Sequence, residues 1–254
     1  MIAERTDYQS GAFTLVELLA TIAVVTVLAA MLLGAVASTK QATLRTTCLS
    51  NLRQLGLGSL MYSDDNANGV LSSTKNDTDD DQNWLYPNYV SNLKTFICPN
   101  LDNAVRTESA KRNPLTGLVY LDDLTHYAHH GNGFGSAYEV FGFMHFNGSE
   151  LTQLVIDGIV TNVPGVRKTI STVQTYQHES NAFGLRGTIA GPSRIWLLLD
   201  GDDGFGNYPS PDGNHGTRGL NVEFCDGHVE WITRPKWALS YELSQDEGIT
   251  EPPR

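Results

Sequence analysis

Basic side chains are scarce in this chain: 17 Lys and Arg stand against 28 Asp and Glu, for a formal net charge of −11. That balance argues against a general grip on nucleic acid, which needs a basic stripe to neutralise phosphates. The compact signatures of common enzyme classes are missing too. The chain contains no Gly-x-Ser-x-Gly elbow, no phosphate-binding loop and no dinucleotide fingerprint. Cysteine is nearly absent. Cys48, Cys98 and Cys225 leave one odd thiol if any pair forms.

What the chain does have is a long apolar run, Phe13 to Val36 (FTLVELLATIAVVTVLAAMLLGAV), broken by one acid, Glu17. Its length is about 24 residues, or roughly 36 Å at the helical rise, enough to cross a hydrocarbon core. An acid at the centre of a membrane helix costs about 2.5–3.5 kcal/mol. Near one end it costs less, because it reaches the interface, but it still needs a reason to be there. Beyond Lys40, the segment Gln41–Tyr62 has no Pro and sets Leu44, Cys48, Leu52, Leu55, Ser59 and Tyr62 at three- and four-residue steps. That spacing is one face of an amphipathic helix, with Arg45, Asn51 and Arg53 off the face. Asp64-Asp65-Asn66-Ala67-Asn68-Gly69 then reads as a stop. The expectation is an N-terminal helix over 13–63, with 13–36 in lipid and the outer half burying its stripe against a globular domain over 64–254. The domain over 64–254 has roughly 190 residues, enough for one core.

In the C-terminal third, Ile195–Leu199 reads as a buried strand ending at Asp200-Gly201-Asp202-Asp203-Gly204. Carboxylates at a strand end among glycines suit a hard cation such as Ca²⁺, though the loop lacks the closing Glu of an EF-hand, Pro211 standing at the twelfth position. Plain turn chemistry is the competing explanation. Asn221–Cys225 and His228–Ile232 alternate in polarity about Asp226-Gly227, a hairpin signal with a two-residue turn. That turn pairs Cys225 with His228, Phe224 with Val229, Glu223 with Glu230 and Val222 with Trp231. Two facing glutamates repel, and a cation, a basic neighbour (Arg218, Arg234 or Lys236) or solvation must relieve them. Asp77–Asp81 reads as a solvated acidic loop, with cation binding as the alternative. His126 and His130 have metal-site spacing but no accompanying Glu, and Gly131-Asn132-Gly133 argues for loop. The disulfide expected in an oxidising compartment is Cys98–Cys225, because Cys48 lies near the membrane end of the helix. Free buried thiols are the leading expectation, and this pair is the one favoured if a disulfide forms.

Gly11-Ala12-Phe13-Thr14-Leu15-Val16-Glu17-Leu18-Leu19 resembles the type IV prepilin processing signature. In that family a dedicated peptidase cuts before Phe-Thr-Leu-x-Glu and methylates the new N-terminus. The resemblance implies Phe13 as first mature residue and Glu17 as fifth, with Glu17 neutralising the N-terminal amine of a neighbouring subunit. Ala12 stands where the family has Gly; a cut after Gly11 makes Glu17 sixth. The leader, Met1–Ala12, sets Arg5 against Glu4 and Asp7 instead of a basic cluster. Thr46–Gly56 and Cys98-Pro99 resemble segments common in pseudopilin-like proteins. His215 with Asp226-Gly227 resembles the processing-associated His-x9-Asp-Gly domain, although Gly216 to Cys225 make ten intervening residues here. Residues 100–194 carry no motif that assigns a role.

Together these resemblances imply an α+β, pilin-like fold, with a long N-terminal helix on a mainly antiparallel sheet. They imply a non-enzymatic subunit, processed by prepilin peptidase in the inner membrane. With its domain in the periplasm or at the cell surface, it would polymerise through a type II secretion or type IV pilus-like machine. No cofactor is expected beyond a structural Ca²⁺ at Asp200, Asp202 and Asp203, which some pseudopilins carry. Competing readings are a membrane-tethered binding protein that does not polymerise and a periplasmic metal-dependent hydrolase. Others are a plain signal anchor and a secretory signal peptide cut after Ala35-Val36-Ala37.

Overall fold

The structure, a computed structural model, describes residues 14–66, 68–128, 133–145, 148, 150–156, 158–201 and 214–250. The chain divides into two compact units, Met1–Thr43 and Leu44–Arg254, and the boundary falls inside the first helix, α1 (Leu15–Asp65). In the first unit α1 is long and apolar enough to cross a membrane, and none of its most apolar window is buried by the chain itself.

In the second unit the outer half of α1 buries the stripe its spacing predicts. Cys48, Leu52, Leu55 and Ser59 are fully buried, while Leu44 and Tyr62 are half-buried. Asn51, expected off this face, is buried as well, because its side-chain amide donates to the carbonyl of Ile97 at 2.9 Å. The loss of water is met by a hydrogen bond, which periodicity alone does not reveal.

After α1 come short strands β1 (Ala110–Arg112), β2 (Val119–Leu121), β3 (Tyr138–Val140), β4 (Phe143–Met144), β5 (Leu151–Ile156), β6 (Ile159–Pro164) and β7 (Val166–Arg167). Helix α2 (Ile170–Thr175) opens on a Thr169–Thr172 capping box and precedes β8 (Trp196–Asp200), β9 (Gly219–Phe224), β10 (Val229–Thr233) and α3 (Arg234–Gln245). The central sheet is antiparallel in the order β10-β9-β8-β3, and β1-β2, β4-β7 and β5-β6 form two-stranded antiparallel pairs. The architecture is α+β.

Two cores flank the central sheet. On one side Cys48, Leu52 and Leu55 of α1 meet Tyr138, Val140, Leu197 and Leu198. On the other, Trp196, Leu199, Leu220, Val222, Phe224 and Ile232 meet Trp237 and Ala238 of α3. Strand β8 serves both sides through a bulge between Trp196 and Leu198, which lets the two adjacent leucines, Leu197 and Leu198, enter the α1 core together.

The β9–β10 hairpin exists where expected, but its register is shifted by one residue. Glu223 pairs with Val229, Val222 with Glu230, Asn221 with Trp231 and Leu220 with Ile232. The loop is Cys225-Asp226-Gly227, closed by Phe224 N–H to His228 O at 2.9 Å and Gly227 N–H to Phe224 O at 2.8 Å. Gly227 has φ 84°, the single left-handed position that a three-residue hairpin loop requires at its end. This register sends Ile232 beside Leu220 into the α3 core, whereas a two-residue turn would have sent Trp231 there.

The shift also separates the two glutamates. Glu230 is exposed and lies 3.8 Å from Lys236. Glu223 is fully buried on the α1 side, where a Cβ at Gly56 would collide with its carboxyl. Burial pushes this carboxyl well above its ordinary range.

Candidate functional site

Among the described residues, a cluster of chemically capable side chains lies between the outer half of α1 and strands β8 and β9. Its first component is a disulfide. Cys48 is bonded to Cys98, with Cα atoms 5.3 Å apart, and Cys225 is a free buried thiol. The expected Cys98–Cys225 pair is therefore corrected. Cys48 is the first fully buried position of the stripe, and Asn51, one turn later, holds the Ile97 carbonyl so that Cys98 is presented to it. Cys225 opens the hairpin loop instead, its N–H given to Ile195 O at 2.9 Å and its sulfur 3.7 Å from Trp196 O. Burial pushes its thiol far above the usual range, so it is a packing residue and not a nucleophile.

The second component is His215, nearly buried, whose Nε2 lies 4.0 Å from Cys98 Sγ and 3.4 Å from Asp200 Oδ2. Its ring meets Trp231 edge-on at 5.7 Å, and the Arg45 guanidinium lies 4.7 Å from the centre of that indole. Asp200, at the end of β8, accepts from the Asn221 backbone N–H at 2.7 Å and from its side-chain amide at 2.8 Å. Asn214 adds a longer bond at 3.4 Å and ties the loop to Ala137 O at 2.7 Å. Burial raises the Asp200 carboxyl above its ordinary range, and the nearby His215 and the Asn bonds oppose that shift.

Of the residues singled out from sequence, Asp200, His215 and Cys98 thus come together. Asp226 and Gly227 belong to the hairpin turn, where Asp226 Oδ1 accepts from His228 N–H at 3.1 Å and pairs with His228 Nδ1. The His215…Asp226-Gly227 element is a segment of chain, not one constellation. Gly11, Ala12, Phe13, Asp202, Asp203 and His130 lie outside the described residues. His126 is exposed, in a non-helical stretch. The described partners of Asp200 are N–H donors and an imidazole.

The acidic loop is less solvated than expected. Asp80 Oδ1 accepts from Val140 N–H at 2.8 Å, and burial pushes its carboxyl up to about 7. Asp79 and Asp81 cap the local turn by accepting from the N–H groups of Lys75, Asp81 and Asn83.

At the other end of the chain Glu17 has a local partner. Its Oε2 accepts from Thr14 N–H and Thr14 Oγ1, each at 2.9 Å, and Thr14 Oγ1 accepts from Glu17 N–H at 3.2 Å. This is a capping box at the start of α1. The Thr-x-x-Glu spacing before an apolar run signals it in the sequence.

Compared with protein-family models, with curated proteins and with solved structures, the chain matches none.

Proposed function

We propose that this protein is a membrane-anchored structural subunit of the pseudopilin kind, processed at its N-terminus and assembled side by side with like subunits. The observation that carries the reading is the change of character along α1. Between Leu15 and Val36 its large apolar side chains are 52–73% exposed on every side. From Cys48 onward the helix buries one stripe. An apolar surface of that size has to be covered by lipid, by other helices, or first by one and then the other. The Cys48–Cys98 link fits a subunit that must hold its domain firmly on its helix. In an apolar bundle Glu17 would meet the N-terminal amine of a neighbour, which offsets the cost of burying an acid. The partners are prepilin peptidase, the assembly machinery, the inner membrane and further subunits.

One observation favours a second reading, a tethered display protein that does not polymerise. The Thr14–Glu17 capping box gives the acid a role within its own helix. Two measurements separate the readings. Mass spectrometry of the mature N-terminus is expected to find methylated Phe13; an intact Met1 or a start at Ser38 would reject processing of this kind. Crosslinking in membranes is expected to lose its oligomer ladder with Glu17→Ala. With Glu17→Gln, which keeps part of the cap and removes the charge, the ladder is also lost if the acid serves assembly and is retained if it only caps.

A further inference from the structure

The sulfurs of Cys48 and Cys98 and a ring nitrogen of His215 all lie within 4.8 Å of one another. A tetrahedral zinc ion, bound at about 2.3 Å to sulfur, 2.1 Å to nitrogen and 2.0 Å to oxygen, sets its ligand atoms roughly 3.4–3.8 Å apart. His215 Nε2 already stands 3.4 Å from Asp200 Oδ2 and 4.0 Å from Cys98 Sγ. We propose that Cys48, Cys98 and His215 form a Zn²⁺ site in the thiol state of the chain, with the fourth position left to water. Disulfide and metal are then two exclusive states of one buried cluster.

The donor chemistry selects the ion. Two thiolates and an imidazole suit zinc and disfavour calcium or magnesium. The newly made chain carries thiols, so loading requires no reductant. Zn²⁺ displaces one proton from each of Cys48 and Cys98 and takes the Nε2 lone pair of His215, releasing two protons. Closure of the disulfide passes two electrons to an external disulfide, which leaves as two thiolates while Zn²⁺ departs. The proposal is independent of filament assembly.

The test uses the full chain in detergent and Co²⁺ as a spectroscopic stand-in for zinc. A water-soluble phosphine converts the disulfide and water to two thiols and phosphine oxide. The reduced chain is expected to bind one equivalent of Co²⁺ with the intense visible bands of a tetrahedral thiolate site, and the oxidised chain none. His215→Gln leaves both cysteines in place and is expected to weaken Co²⁺ binding by at least about tenfold. Its oxidised form, compared with the parent by circular dichroism, reports whether the fold is kept. Cys48→Ser is expected to abolish the thiolate bands and is the variant that decides if His215→Gln unfolds. The proposal is overturned if the reduced parent takes up no more Co²⁺ than Cys48→Ser, or if a folded His215→Gln binds as tightly as the parent.

Discussion

Toward α3, the four-stranded sheet presents Trp196, Leu199, Leu220, Val222, Phe224 and Ile232, while toward α1 the same strands present Asn221, Glu223 and Asp200. The α3 side is joined by aromatic packing. Trp196 meets Trp237 at 6.3 Å and Tyr241 at 5.7 Å, both edge-on, and Trp237 stacks on Tyr241 at 4.6 Å. The indole N–H of Trp196 is satisfied as well, donating to Ser240 Oγ at 2.9 Å. The α1 side has apolar contacts too, but adds a disulfide, buried carboxyls and amide side chains that bond to backbone. Nonpolar burial is non-directional and tolerates small displacements, whereas a buried polar group must meet its partner or pay its full desolvation. One side therefore supplies bulk stability and the other fixes position.

The largest effect is expected on the aromatic side. Trp237→Ala removes the ring that α3 sets against Trp196 and should cost about 3–5 kcal/mol in chemical denaturation. Recovery to within 1 kcal/mol, roughly the spread of surface substitutions, would mean that the α3 side is not the main source of stability.

Next comes the disulfide on the opposite side. It closes a loop with a sequence separation of 50 residues. The double variant Cys48→Ser/Cys98→Ser should lose about 2–4 kcal/mol in the same assay, while Cys225→Ser leaves the mass gained on reduction and the non-reducing mobility unchanged. A disulfide that persists in Cys48→Ser as Cys98–Cys225 would overturn the pairing.

A smaller, pH-dependent effect is expected at Glu223. Among the described residues no hydrogen bond of ordinary geometry reaches its two buried carboxyl oxygens, and burial, opposed by the backbone N–H of Leu198, raises its folded-state pKa. The unfolded chain gives up this proton near pH 4.3 or so, as ordinary glutamate does. Above that pH the folded state holds more protons than the unfolded one, so stability falls as pH rises toward the folded-state pKa. Glu223→Gln should therefore match the parent near pH 4 and exceed it by about 1–2 kcal/mol at pH 8. An equal gain at both pH values would show that folding leaves the pKa of this carboxyl unshifted. Smallest of all, Lys236→Ala should change stability by less than about 0.5 kcal/mol, because its pair with Glu230 is exposed and long.

The sequence was most readable where one local period governs the outcome. The Cys48/Leu52/Leu55/Ser59 stripe and the Trp196–Asp200 strand could both be read because burial repeats at helical spacing or runs unbroken to a turn. The Asp226-Gly227 hairpin could be placed but not registered. A glycine at positive φ serves both a two-residue and a three-residue loop, and the choice was made by which of Trp231 and Ile232 fits against Trp237. The approach of Cys98 to Cys48 depends on Asn51, whose amide looks like a surface residue until Ile97 docks on it. The meeting of Asp200 and His215 depends on strand pairing between distant segments, which no local pattern encodes.

The bulge in β8 has a consequence for that meeting. Along a regular strand, residues four apart point the same way, so Trp196 and Asp200 would both face α3. The one extra residue at Leu197 reverses the phase of the strand half-way along. Trp196 is thereby read in one frame, for the aromatic layer, and Asp200 in the other, for the cluster beside Cys48. Deleting either Leu197 or Leu198 would put the strand back into a single frame. Either the indole or the carboxylate would then be delivered to the wrong layer, although the strand itself would remain apolar and paired.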